Sequence, residues 1–550
     1  MPKPTPDLRT NNIPLEVHRC TNIQGLQEQA QKHWGLRRIQ PFFPSIEKLF
    51  KLDNVRMPYH YGIQTQNSIQ TIVGESSIYS GGKEVKIHLK KTMLYPSYRV
   101  MRGEFAATGL PNKEDVVDTP LPHQSPHNAA YVGSLACLVL SESGCQHFPR
   151  VYGVFSGIEE RHSIDISDDY EDLCDRPWFA SHIGHFFDLR LRKSEMPVLE
   201  LQEPTEAIDL GVEDIEAPTV MTASPVLPTP EPEDYDADNE QAEEEAEDGE
   251  SSCSTDYIFE IHSCSSESSD DEDEDDEHNE DNGGGFTEEA ENPEAFAHAI
   301  FKDCPVQVTV MEACSGTLYQ LFRENPEMPK RCAWIGQIIF ALAFAQRTFG
   351  LCHNDLHVMN VMYVPTDAEY FYYNAGGKMY RLPTFGKLIK IIDFDRATYS
   401  VKLPKMRESK FFMSDQFQQD EEAGGQYNVE PFYNSKYSEI KPNPSFDLVR
   451  LATSMFWDCF PNGPCEEYEN NPIFKMFMTW LLLPDGQSIL FRDPHNGDFS
   501  ERYRGFHLYK AIAKYCRDTA VPRKQIDKFG SVYLYTEKVP QGENVLFIEP

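Results

Sequence analysis

Three oxygen-bearing side chains stand at spacings that could do phosphoryl chemistry. The stretch "GLCHNDLHVMNVMY" (350–363) carries His353, Asp355 and, five positions after that Asp, Asn360. Downstream, "LIKIIDFDRA" is a β-branched strand pattern running into Asp393, 38 residues after Asp355. A loop Asp, an Asn five residues on and an Asp at a strand end suit metal-assisted phosphoryl transfer. One carboxylate orients or deprotonates an attacking hydroxyl, while a carboxamide oxygen and a second carboxylate hold a divalent cation against phosphates. Magnesium prefers hard oxygen donors and keeps several waters, so one or two carboxylates suffice.

Strongly patterned elements surround these residues. "CAWIGQIIFALAFAQRTFG" is the strongest helix pattern: Trp334, Ile335, Ile338, Leu342, Ala345 and Phe349 form one stripe, and Gly350 supplies the stop. It delivers the chain directly into the His353–Asn360 loop. Upstream, "IQTIVG", "SSIYSGGKEVKIHLKKTM", "YRVM" and "RVYGVFSG" read as strands around the helix pattern "HNAAYVGSLACLVLSESG". "IEKLF" reads as helical, "VQVTVMEA" as an alternating strand and "GTLYQLFREN" as a helix start. "DAEYFYYNAGGKMYRLPTFGK" reads as a hairpin turning at Gly376-Gly377, and the chain beyond 440 as mainly helical. The order predicts an α+β chain of two unequal lobes, a small β-rich one and a mainly helical one, with a cleft between them.

The net charge of −38 belongs to one segment. From Ser194 to Phe301 there are 37 acids and no Lys or Arg, leaving 51 acids against 50 bases elsewhere. Low hydrophobicity and like charge cannot offset the entropy of ordering a backbone, so a long disordered insert is expected there. The expected divisions are an N-terminal extension (1–55), the β-rich lobe (56–193), the acidic insert (194–298), and the helical lobe with its connection (299–550). The 13 Cys are scattered without CxxC or His/Cys ligand spacing, as in a reducing compartment. The N-terminus lacks an apolar signal core, and "IGQIIFALAFA" is too short to span a bilayer. A soluble, intracellular, non-secreted protein is expected, with no membrane partner and no direct nucleic-acid binding.

The set His353-x-Asp355-Leu356-x-x-x-Asn360 with Asp393-Phe394 resembles the catalytic loop and metal-binding element of protein kinases. "HFPRVYGVFSG", "SIDISDDYED", "LPTFGKLIKIIDF" and "MSDQFQQDEEAGGQYN" are similar to divergent serine/threonine kinases of large DNA viruses, iridovirus-type in particular. The likeness covers roughly 55–190 and 300–540. It implies a two-lobed protein-kinase-like fold, ATP and Mg²⁺ as cofactors, transfer to Ser or Thr of protein substrates, and a host cytoplasmic or nuclear location. By the same resemblance Asp355 matches the catalytic base, Asn360 a metal ligand and Asp393 the main magnesium ligand. His353 matches the residue that orients the loop. Asp447, near a helix start with Ser445 as its cap, matches the buried Asp beneath the loop. Glu312 to Cys314 match the backbone that receives adenine. Lys90 matches the phosphate-binding Lys, with Lys86 as fallback, since Lys86, His88 and Lys90 share one strand face.

The sequence also departs from that pattern. No G-x-G-x-x-G precedes the Lys-bearing strand, and the helix after it has no acid before Glu142. Asp395 stands where the kinase element has Gly, so the extra carboxylate binds a second ion or impairs nucleotide placement. His357, two past Asp355, is shared with small-molecule hydroxyl kinases. A pseudokinase scaffold and a small-molecule kinase are the alternatives to a protein kinase. Within the insert, Ile258, Phe259 and Ile261 before Ser and acid are similar to SUMO-interacting motifs, a strand-adding segment for a basic-rimmed partner. Ser268 and Ser269 have acids three positions on, a pattern that acid-directed kinases phosphorylate.

Overall fold

The computed structural model describes residues 13–548 apart from 14, 21–22, 53, 106–108, 117–120, 168 and 193–295. The expected acidic insert lies outside the described residues except at its end, where Ala297 is already in a strand. Ile258, Phe259, Ile261, Ser268 and Ser269 lie outside them too.

The chain is a mixed α+β structure. Its first part comprises β1 (Val17–Arg19), α1 (Ile23–Trp34), β2 (Leu36–Gln40), α2 (Pro44–Phe50), β3 (Tyr61–Ile63), β4 (Thr71–Ile72), β5 (Ser77–Ser80), β6 (Lys83–Met93), α3 (Ser97–Met101), α4 (Ala129–Ser141), β7 (Val151–Asp165), α5 (Tyr170–Cys174), α6 (Pro177–His182), β8 (Asp188–Leu191) and β9 (Ala297–Glu312). A seven-stranded sheet runs β2-β7-β9-β6-β5-β4, with β8 also on β9. The expected Gly-Gly turn joins β5 to β6 with Ser80 opposite Lys83. Lys90 lies opposite Thr309 on β9. Helix α4 is buried along its whole length, Ala130 to Leu140, as its nearly unbroken apolar sequence requires. Its N-cap Asn128 accepts from the Ala130 amide, and its Ser134 hydroxyl lies 2.9 Å from that of Thr309.

Two expectations for this part change. "YRVM" is not a strand but belongs to α3, which starts after Pro96 (φ −58°) and buries Tyr98, Val100 and Met101. Four residues, one of them Arg99, are too few to show a period that distinguishes the two states, and the preceding Pro has a helix-compatible φ. Nor is the stretch before residue 56 a separate extension. Leu36 and Gln40 of β2 pair with Glu159 and Ser156 of β7, and Phe42, Phe43 and Ile46 are fully buried.

The remainder comprises β10 (Gly316–Thr317), α7 (Leu318–Glu324), α8 (Met328–Phe349), β11 (Val361–Pro365), β12 (Tyr370–Ala375), β13 (Lys378–Pro383), β14 (Lys387–Ile391), β15 (Tyr399–Val401), β16 (Lys410–Phe412), α9 (Phe446–Cys459), α10 (Pro472–Trp480), β17 (Phe491–Asp493), β18 (Asp498–Glu501), α11 (Phe506–Tyr515), α12 (Pro522–Phe529) and β19 (Val545–Ile548). Thr317 and Gln320 cap α7 reciprocally. Helix α8 ends where expected, at Gly350 in the left-handed region (φ 59°). Among the described residues α8 is the one helix long and apolar enough to cross a membrane, and 78% of its most apolar stretch is buried inside the fold. The expected hairpin is present: β12 and β13 turn at Gly376 (φ 60°) and Gly377 (φ 81°), a two-residue turn that glycine adopts without strain. The C-terminal β19 adds to it in parallel, Val545 opposite Tyr372.

Candidate functional site

The loop after α8 is held from below by one buried carboxylate. Asp447, in the first turn of α9 and fully buried, accepts from the His353 amide through Oδ2 and from the Asn354 amide through Oδ1, both at 3.0 Å. Burial raises its carboxyl above the usual range, partly offset by His353 and those amides. Ser445 occupies the N-cap position but does not cap. Its hydroxyl donates to the Arg517 carbonyl and accepts from the Ala520 amide, because the start of α9 is buried against the segment between α11 and α12. His353 is buried, its Nε2 2.7 Å from the Ile392 carbonyl and its ring 5.1 Å from Phe394. Asn354 has φ 66°, a conformation Asn tolerates better than most residues. Its side-chain Nδ2 donates to the Arg396 carbonyl at 2.9 Å and its Oδ1 accepts from the Tyr427 hydroxyl at 2.7 Å, tying the loop to the segment beyond Asp393.

The short ladder β11–β14 sets Asn360 beside Asp393. Val361 lies opposite Ile391, and the Asn360 carbonyl accepts from the Ile392 amide at 3.0 Å. The strand stops at Ile391, so Asp393 is not its last residue but lies two beyond it, in the left-handed region (φ 62°). Asn360 Nδ2 reaches the Asp355 carbonyl (2.9 Å) and His357 Nε2 (3.1 Å), which commits its amide hydrogens and leaves its oxygen as the donor atom. His357 must therefore present an unprotonated Nε2. Burial pushes its pKa down, against the pull of Asp355 and Asp393, both close enough to act on it. Asp355 Oδ1 accepts from the Tyr509 hydroxyl at 2.7 Å.

Lys90 arrives from β6. Its Nζ lies 2.6 Å from Asp393 Oδ1 and 2.8 Å from Asp395 Oδ1. Burial would lower its pKa, but the two carboxylates outweigh it and keep the ammonium charged. Burial would likewise raise Asp393, yet Lys90 holds it down to about 2. Asp395 is raised by burial and by Asp393, which the shared Lys90 only partly offsets. The fallback Lys86 is exposed on the same strand.

Glu312 ends β9. Its amide donates to the Arg150 carbonyl at 2.9 Å, so that group is already satisfied, and its carboxylate pairs with the buried Lys390 at 2.8 Å. The Ser315 amide donates to Tyr363 at 2.8 Å. Cys314, between them, is part-buried, and burial pushes its thiol up to about 11. Lys390 precedes Asp393 by three residues and links this connection to the floor of the site.

The structure thus joins Lys90 with Asp393 directly and Asn360 with Asp355 directly, with His357 under the influence of both Asp residues. Glu312 ends β9, the strand paired with that of Lys90, and Cys314 lies in the connection just beyond it. Asn354, Tyr509 and Gly133, whose α-carbon packs against Asp395, are site residues that sequence reasoning missed; Tyr509 is separated from Asp355 by 154 positions and no local pattern marks it. Among the described residues no group of three or more His, Cys, Asp or Glu is arranged to hold a metal ion. The donor set here is of another kind. Asp393 is kept ionised with 43% of its side chain exposed, and Asn360 has its amide oxygen to give. Both fit the hard-oxygen, partly hydrated coordination of magnesium.

No family model matches the chain. Over 96 residues it is 27% identical to the uncharacterized protein ZK177.2 of Caenorhabditis elegans, a stretch that covers 17% of this chain and 32% of that protein. The match spans about a third of that relative's length.

Proposed function

We propose that the chain is a protein-kinase-like phosphotransferase that moves the γ-phosphoryl group of ATP, with Mg²⁺, to Ser or Thr hydroxyls of proteins. The observation that carries this reading is the Lys90–Asp393 ion pair, made by residues 303 positions apart, beside the Asn360–Asp355 loop. In this reading the large sheet with α4 forms one lobe and the part from β10 onward the other. ATP lies between them against the 312–314 connection. Lys90 would offer its charge to phosphate oxygens, and Asn360 and Asp393 would hold the ion, which would supply charge neutralisation at the phosphates. Asp355 accepts the proton of the attacking hydroxyl. Asp447 and His353 hold the loop in register. Membership among the kinases of large DNA viruses is part of the proposal and rests on the phrases quoted above.

ATP binding measured with and without Mg²⁺, in wild type and Asp393→Asn, tests it. Tighter binding with the ion, lost in the variant, is expected; no nucleotide binding under either condition refutes it. One observation favours a second reading, a partner-binding pseudokinase: the Tyr509 hydroxyl engages the very carboxylate a catalyst needs. Nucleotide binding without turnover, in both wild type and Tyr509→Phe, would select that reading.

A further inference from the structure

Lys90 is held between two carboxylates, those of Asp393 and Asp395, and helix α4, packed against the same sheet, contributes neither. Its residues from Ala129 to Ser141 include no acid, and Glu142 at its end accepts instead from the Gln66 amide at 3.4 Å. Gly133 of this helix packs directly against Asp395. A Cβ there would collide with the Asp395 carboxylate and come within 3.0 Å of its Cα. The volume that a helix side chain would fill is therefore taken by Asp395. Its Oδ1 meets Lys90 at 2.8 Å, and its Oδ2 accepts from the Thr92 hydroxyl at 3.4 Å, Thr92 standing two residues along the same strand. The helix is fixed in that register from both sides. Tyr399, beyond Asp395, donates to the Val132 carbonyl at 2.7 Å, and Ser134 meets Thr309 on the sheet.

We propose that Asp395 is the positioning residue for Lys90, its carboxylate replacing one that the helix lacks, with Gly133 as the vacancy that admits it. Two departures of the sequence, the acid-free helix and the Asp two past Asp393, then become one exchange. Because Lys90, Asp393 and Asp395 are joined within a single strand and loop, their assembly does not depend on a swing of α4. The inference rests on the phosphotransferase reading for its consequence to activity, though not for its geometry.

The test uses the full chain. Lysines are acetylated briefly with acetic anhydride at fixed pH and quantified by peptide mass spectrometry, alongside the KM for ATP. Lys90 is expected to be protected in wild type and labelled at least about fivefold faster in Asp395→Asn, with the KM for ATP raised about tenfold. Gly133→Ala is expected to act like Asp395→Asn. In an Asp395→Gly background it should add much less, since the collision with the carboxylate is gone and only the close approach to the backbone of residue 395 remains. Asp395→Asn is isosteric and keeps the test informative if Gly133→Ala does not fold. Unchanged Lys90 labelling in Asp395→Asn overturns the proposal, whatever the turnover. Faster labelling together with no ATP binding by wild type upholds the positioning and overturns the phosphotransferase reading alone.

Discussion

Removing the Asp447 carboxylate should release the loop on which the site depends. The side chain is fully buried and accepts two backbone amide bonds at 3.0 Å, from His353 and Asn354. A hydrogen bond to a charged group contributes roughly 1.5–3 kcal/mol, and a buried amide left without a partner costs about 1–3 kcal/mol. Two such amides, less the desolvation relieved by deleting a carboxylate whose pKa burial has raised, give a net loss of about 4 kcal/mol for Asp447→Ala. Asp447→Asn keeps one acceptor and turns an NH₂ toward the other amide, so about 2 kcal/mol is expected. Urea unfolding followed by circular dichroism gives both values. Hydrogen exchange adds a local readout, with the His353 and Asn354 amides losing protection in both variants. Losses under about 1 kcal/mol with those amides still protected would mean the loop is held from elsewhere, and the reasoning would fail.

Burial and Glu421 push the Asp415 carboxyl up to about 7. A folded-state pKa above the unfolded value means stability falls as pH rises from about 4 to 7. Asp415→Asn should therefore unfold at a higher temperature than wild type above pH 7 and at the same temperature near pH 4, as thermal scans against pH will show. Glu159 lies between Lys91 (2.5 Å) and His162 (2.7 Å), all three largely buried. Burial would raise its pKa, but His162 and Lys91 outweigh it and lower it, so this stabilisation is present above about pH 4.3 and is lost as pH falls through the lowered value. Glu159→Gln strands the Lys91 charge and should cost about 3 kcal/mol at pH 7 in urea unfolding, shrinking toward pH 3.

Features written in local chemistry were legible from the sequence. The stop of α8 at Gly350, the Gly376–Gly377 hairpin and the strand pattern around Lys90 follow from turn residues and side-chain period, which neighbours in the chain determine. Pairings across the chain were not. The β2 edge on β7 and the parallel β19 on β12 carry no signal beyond short β-favouring runs. Ser445 reads as a cap, but a buried helix start gave its hydroxyl two tertiary partners instead. At the site, the types and spacing of Asp355, Asn360 and Asp393 were visible because they lie in short local stretches whose pattern the proposed chemistry would constrain. The Asp395–Gly133 fit was invisible because it joins an anomaly on a loop to an unremarkable helix glycine 262 positions earlier.

The central claim is most directly tested by transfer of labelled γ-phosphate. The purified chain is incubated with γ-labelled ATP, Mg²⁺ and a panel of Ser/Thr-containing proteins and small alcohols, with Asp355→Asn and Asp393→Asn in parallel. The account predicts label on protein Ser or Thr that requires Mg²⁺ and falls at least about a hundredfold in either variant, a loss consistent with removing a general base. Label on small alcohols alone, or equal labelling by wild type and Asp355→Asn, would contradict it.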